Sequence, residues 1–437
     1  MGTYVDTIKS KCRTQHDLKI EQLRVGSITM WMVGYESIVN WEETIAYISN
    51  CGLTTEAAYE DIYVHLLGQE WVPEALDVLL QGKVVLIDSD ADRAFSFQGK
   101  PKTLERAIDK AENETMPFSS ALVFMEPLTT NIGILRKTIH SPYLEVEGYQ
   151  FKGIGTREAS LVYLSECVDK DLLEAVRHAL KKAAGQDLRN GQDLIRFFGY
   201  NRYHLVSPYH KTEIPGQAVA SMMNGRVVLL IDGEPTAYVL PLLFSDFIAL
   251  DWDRQLPLFV MTALRSLRLL SILIALMTPG LYVALVSVNP ETLRIELALS
   301  IASSRIGIPL PTFLEMLLLL IISEIIIEAT QRLPKSIAAA NTLIGGIVLG
   351  QAIVDAKLVS SLVIIVLASS ITANFAFPHY LNTLVVRILR TGIILLSGIF
   401  GIFGLFASFI GVCYYACSLQ RFGVPFMNVL SPKKLGQ

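Results

Sequence analysis

From about position 255 onward the chain carries repeated runs of about 20 consecutive apolar residues, the length a helix needs to cross the hydrocarbon core of a bilayer. Lipid offers backbone N–H and C=O groups no partner, so such runs must fold as helices that satisfy their own hydrogen bonds. A first span, LRLLSILIALMTPGLYVALVSV, begins at Leu267 and is kinked by Pro279; a second is expected from about Ile308 to Ala329, a third from Ser336 to Val354 and a fourth from Leu358 to Phe377. The last tract, Thr391 to about Leu419, is too long for one upright crossing and reads either as a tilted helix or as a hairpin broken around GIFGIFG. The intervening NPETLRIELALSIASSRIGIP has helical periodicity and fits a helix in the membrane interface or a re-entrant one.

The first 255 or so residues are different in kind, charged and slightly acidic, and they hold one pattern twice. VGSITMWMVGYESIVNWEETIAYI from Val25 has the layout of GTREASLVYLSECVDKDLLEAVRHAL from Gly155: an alternating strand, a polar turn, an amphipathic helix. Later, LLQGKVVLIDSDADRAFSF and MMNGRVVLLIDGEPTAYVL each read as a helix ending at glycine, a buried strand, an acidic turn and a return strand. The expected architecture is α/β plus an α-helical membrane domain. It comprises an α/β subdomain over 1–107, a linker over 108–127, a second α/β subdomain over 128–250, a bundle of four to six transmembrane helices over 251–420 and a tail over 421–437.

Several functions find no support in the residues. There is no phosphate loop, dinucleotide fingerprint or HExxH, and the histidines of HLVSPYHK fit an exposed loop, so no catalysis is expected. Cys12, Cys51, Cys167, Cys413 and Cys417 form no CxxC pair, which predicts neither a disulfide nor a zinc site; no cofactor or nucleic-acid partner is expected. The N-terminus lacks the apolar core of a signal peptide, and Arg254, Arg265, Arg268, Arg332, Lys335, Arg387 and Arg390 fall on one side if crossings alternate. That side is the cytoplasm, shared with the N-terminal half.

Two features of the spans carry the functional expectation. Ala338, Thr342, Gly346 and Gly350 recur every four residues and form a groove for a second helix. Glu315, Glu324 and Glu328 lie in the second span, where an ionised carboxylate costs roughly 2.5 kcal/mol or more unless it faces water or a partner. They fit the lining of a cation path, extended by Asn341, Gln351 and Asn374; Glu328 with Arg332 also fits a simple salt-bridge ladder at the helix end.

EATQRLPKSIAAANTLIGGIVLGQAIVDAKLVS, with LRLLSILIALMTPGLYVALVSVNPE, EPLTTNIGILRKTI and GRVVLLIDGEPTAYVLP, resembles the A subunits of GerA-type spore germinant receptors over nearly the whole chain. It departs from them at MPFSSALVFMEPL and HLVSPYHK, and both soluble copies look abbreviated. The resemblance implies a non-enzymatic protein of the spore inner membrane with a cytoplasmic N-terminal domain. It also implies assembly with a transporter-like B subunit and a lipoprotein C subunit, and several copies forming a ligand-gated channel for monovalent cations. An accessory A-like member, a scaffold and a stand-alone transporter remain as rivals.

Overall fold

The computed structural model describes residues 14–25, 28–51, 62–64, 71–88, 94–100, 122–152, 156–183, 204–333, 350–378 and 380–428, together with Val5, Ile8, Lys9, Lys102, Asp193, Phe198, Leu343, Gly346 and Ile347. Two compact units result: Met1–Leu242 with Gln420–Val424 and Asn428–Gln437, and Leu243–Leu419 with Pro425–Met427.

In the first unit the repeated pattern becomes two five-stranded antiparallel sheets of the same connectivity. Strands β1 (Leu18–Val25), β2 (Ile28–Tyr35), β3 (Ile62–Val64), β4 (Val84–Asp88) and β5 (Ala94–Phe97) lie in the order β1-β2-β4-β5-β3. The second copy, β6 (Leu144–Lys152), β7 (Thr156–Leu164), β8 (His210–Thr212), β9 (Val227–Ile231) and β10 (Ala237–Leu240), repeats this as β6-β7-β9-β10-β8. In the first copy Met32 and Leu86 pack with Trp41 and Ile48 of helix α1 (Trp41–Cys51), whereas Val33, Val85 and Ile87 meet Val78 and Leu79 of α2 (Trp71–Leu80). Period-two alternation sends successive side chains to opposite faces, so each sheet face gets its own helix. In the second copy α3 (Leu128–Ile139) and α5 (Pro215–Met223) share a core with Val146, Val162, Val228 and Leu230, and α4 (Lys170–Ala183) buries Leu172, Val176 and Leu180. The DG pair turns β9 into β10 with Gly233 at φ 80°.

A buried clamp ties the copies together. Arg136 of α3, wholly buried, donates from Nε and Nη2 to the two carboxylate oxygens of Asp17 at 2.5 Å each and stacks 3.9 Å from the Tyr35 ring centroid. Ser37 donates to Asp17 at 2.7 Å, and the His16 N–H reaches the Val146 carbonyl at 2.9 Å, which docks the lead-in of β1 on edge strand β6.

The second unit is helical: α6 (Leu258–Val283, continued as a π turn to Val288), α7 (Ile295–Ser304), α8 (Thr312–Arg332), α9 (Gly350–Asp355), α10 (Ser361–Asn374) and α11 (Tyr380–Ser418). Its core joins Val283, Met316, Leu319, Leu320, Val363, Leu367 and Ile394, while Phe259, Ile325, Ile365, Phe403 and Ile410 point outward. Leu258–Val288 is long and apolar enough to cross a membrane, and Leu381–Ser418 passes the same measure of length and composition although its helix is broken at Gly401. The expected fourth span is shorter than predicted: α10 starts only at Ser361, where the Ser360 side chain accepts from the Val363 N–H, and its 14 residues rise roughly 21 Å. Most of the third span, including Ala338, Asn341 and Thr342, lies outside the described residues.

The last tract resolves its two readings. Gly401 has φ 61° and ψ −140°, and the Asn289 side-chain oxygen accepts from the Ile402 N–H at 3.0 Å, capping the helix that restarts there. A Cβ built on Gly404 would lie 2.2 Å from the Leu396 carbonyl oxygen, and one on Gly280 would meet Ile393, Ser397 and Leu405 together. Eight residues of straight helix span roughly 12 Å, so the chain folds back at Gly401.

Candidate functional site: charges closed among apolar helices

Glu315 does not lie deep in its helix. Proline at 311 precedes α8, which places Glu315 in the first turn, beside N–H groups that have no intrahelical partner. Its side chain is fully buried; Oε1 accepts from Arg305 Nη2 at 2.8 Å and Oε2 from the Ser360 N–H, at the start of α10, at 2.9 Å. The expectation that Glu315 looks onto water is therefore corrected for this chain: a carboxylate among apolar helices is stable once an arginine and a backbone donor satisfy it, and both are present. Buried Tyr282 Oη, Thr312 Oγ1 and Arg305 Nε have no hydrogen-bond partner among the described residues.

Glu324, expected to line a cation path, is likewise paired within the chain. About two and a half turns further along α8, it accepts from Arg387 Nε at 2.7 Å, from Arg387 Nη2, and from Arg390 Nη2 at 2.8 Å, both arginines belonging to α11. Arg390 Nη1 reaches Ser370 Oγ at 3.3 Å, and Ser370 in turn donates to the Ala275 carbonyl at 2.8 Å. One ion cluster thus links α8, α10, α11 and α6. Glu328 and Arg332 form the helix-end pair, 2.6 Å apart and both exposed. A further cluster stands before α6, where Arg268 holds buried Asp253 at 2.6 and 3.0 Å and Arg265 approaches it. Burial alone would push the Asp253 carboxyl up, but the Arg268 hydrogen bonds, the Leu250 N–H and the nearby positive charge hold it below the usual carboxylate range.

The remaining residues expected to form a site divide. Asn374 is buried near the end of α10, its Oδ1 without a partner among the described residues; Gln351 is exposed on α9; Asn341 lies outside the described residues. A Cβ added at Gly346 or Gly350 would meet nothing within 4 Å, whereas one at Gly398 would strike the Phe313 ring at 2.3 Å. Close helix approach within this chain is made by glycines of the last tract. Arg305, Arg387, Arg390 and Ser360 were not expected as partners of the acids, nor Ser370 as a partner of Arg390. Two arginines three apart in an apolar helix were the available signal, since neither survives there without a carboxylate at matching depth.

Paired α/β lobes followed by apolar helices whose charges close on one another define a membrane-associated protein with a separate α/β unit. Residues 6–437 match the family described as Bacillus/Clostridium GerA spore germination protein. The chain belongs to that family. Spore germination protein B1 of Bacillus subtilis (strain 168) is 28% identical over 377 residues, 85% of this chain and 78% of that protein. Spore germination protein KA of the same strain is 30% identical over 356 residues, covering 81% and 65%. Among solved structures, the N-terminal domain of the A subunit of the Bacillus megaterium spore germinant receptor GerK3 matches 55% of this chain and 94% of its own, at 19% identity and a TM-score of 0.39.

Proposed function

We propose that this chain is a non-enzymatic membrane subunit of a spore germinant receptor, of which several copies surround a ligand-gated path that releases monovalent cations across the spore inner membrane. The geometric observation that carries the reading is a helical unit that turns large apolar side chains outward while closing Glu315 and Glu324 on Arg305, Arg387 and Arg390. Charges arranged so are stable in lipid only as part of a packed bundle. In this reading the basic residues Arg254, Arg265, Arg268, Arg332, Lys335, Arg387 and Arg390 favour an even number of crossings, four or six, with the α/β unit on the cytoplasmic side.

Glu315 and Glu324 hold helices together in this reading, and the path runs past Glu328, Gln351 and Asn341. The stripe of Ala338, Thr342, Gly346 and Gly350 meets a helix of a neighbouring copy. Transporter-like B and lipoprotein C subunits are the partners. A ligand bound to a partner opens the path only by favouring the open arrangement differentially. Vesicles holding this chain with its partner subunits should release trapped potassium on addition of the nutrient. Release that is the same without this chain would overturn the reading.

A further inference from the structure

The cluster around Glu324 is not neutral. Arg387 and Arg390 contribute two positive charges, and Glu324 is the one carboxylate within 4 Å of either among the described residues. Of the side chains of the helical unit left out of the description, that of Asp251 alone is acidic, and it belongs to the short turn of Asp253 before α6. Glu315, Glu328 and Asp253 are committed to Arg305, Arg332 and Arg268. One positive charge is left over, on side chains 10% and 1% exposed. Such a charge among apolar helices calls for an anion.

The cluster also has unused hydrogen-bonding groups. Arg390 Nε is buried with no partner among the described residues, and so is the Asn374 side-chain oxygen, one turn along α10 from the Ser370 that holds Arg390. An oxyanion bearing a neighbouring hydroxyl supplies what both lack, an acceptor for Nε and a donor for Oδ1. Glu324, 28% exposed, marks where the cluster opens to the outside of the unit. Arg387 stands seven residues into α11, roughly 10 Å from its start, within reach of lipid headgroups for a long basic side chain.

We propose that Arg387 and Arg390 form a binding site for a phosphate oxyanion, supplied by the headgroup of an anionic phospholipid, at the junction of α8, α10 and α11. Basic pockets between membrane helices take such headgroups because a phosphodiester matches the guanidinium fork and cancels one charge. The site does not depend on the cation-path reading, and its test involves no ion flux.

The full chain is placed in nanodiscs of phosphatidylcholine, with or without phosphatidylglycerol, and thermal unfolding is followed together with retained lipid by native mass spectrometry. The anionic lipid should raise the midpoint by a few degrees and be retained in preference to phosphatidylcholine. Arg387→Gln, which leaves the cluster neutral, should lose both effects. Glu324→Gln, which leaves it doubly positive, should strengthen retention, so the two variants move in opposite directions even if each alters basal stability. Inorganic phosphate added to phosphatidylcholine discs separates the sources: a midpoint rise abolished by Arg387→Gln would keep the oxyanion site and exclude the lipid. No preference for phosphatidylglycerol and no phosphate effect, or an undiminished response in Arg387→Gln, would overturn the proposal.

Discussion

Replacing Glu315 by Gln keeps the size of the side chain and an acceptor for the Ser360 N–H but removes the charge that Arg305 faces at 2.8 Å. Breaking a buried ion pair from one side costs about 3–5 kcal/mol, because the other charge stays behind without a partner. Arg305 is 23% exposed, so its stranded guanidinium regains some hydration and about 2–3 kcal/mol is expected, roughly a 30- to 150-fold loss in the folding equilibrium. Arg305→Gln should cost more, about 3–5 kcal/mol, since the carboxylate it strands is fully buried. The double variant leaves two neutral groups, so its loss should fall short of the sum by about 1–3 kcal/mol. Denaturant unfolding of the full chain in lipid, with all four proteins compared, reads that coupling. Additive losses, or Glu315→Gln with unchanged stability, would refute the ion pair and return Glu315 to a watery path.

Three further outcomes follow from other parts of the molecule. Arg136→Met strands Asp17 in the clamp between the two α/β copies and should cost about 3–5 kcal/mol, read as a lower unfolding midpoint of the chain. Burial raises the Glu147 carboxyl, but hydrogen bonds from Arg177 and Tyr163 outweigh it and hold the group below its ordinary value of 4.5. A carboxyl lowered by folding adds stability that is complete above the ordinary range and lost as the pH falls through the folded value, so Glu147→Gln should flatten the acid limb of a stability-versus-pH curve. Gly401→Ala forces an L side chain into a backbone region reserved for glycine and sets its Cβ 2.0 Å from Asn289 Oδ1, so the unfolding midpoint should drop well beyond the effect of Gly411→Ala, where the added carbon meets nothing within 4 Å.

Much of the α/β unit is written in local pattern. LIDG in the second copy specifies a buried strand and a tight turn, and Gly82 and Gly225 stop their helices with φ near 80° as an αL cap demands. The lead strands β1 and β6 were harder to read, since LKIEQLRV and LEVEGYQFK are edge strands rich in polar residues that declare themselves only once β2 and β7 pair with them. Among the helices, apolar length marked where spans lie but not how acids are neutralised. Arg305 lies ten residues from Glu315, and Arg387 and Arg390 lie 63 and 66 from Glu324, so no periodicity within one helix links them. GIFGIFG signalled a break, and the choice of reversal over a tilted helix came from Asn289, which caps Ile402 from 113 residues away.

As proposed above, this chain belongs to a nutrient-triggered cation path that runs past exposed Glu328 and Gln351 and is held together by the closed ion pairs of Glu315 and Glu324. That proposal is tested most directly by potassium efflux from spores whose receptor carries Glu328→Gln with Gln351→Leu at wild-type protein level. The account predicts slower efflux after nutrient addition with membrane insertion and partner assembly intact, because Glu328 and Gln351 stand exposed on the helical unit. Efflux at the wild-type rate in that variant, and in spores lacking the chain altogether, would contradict it.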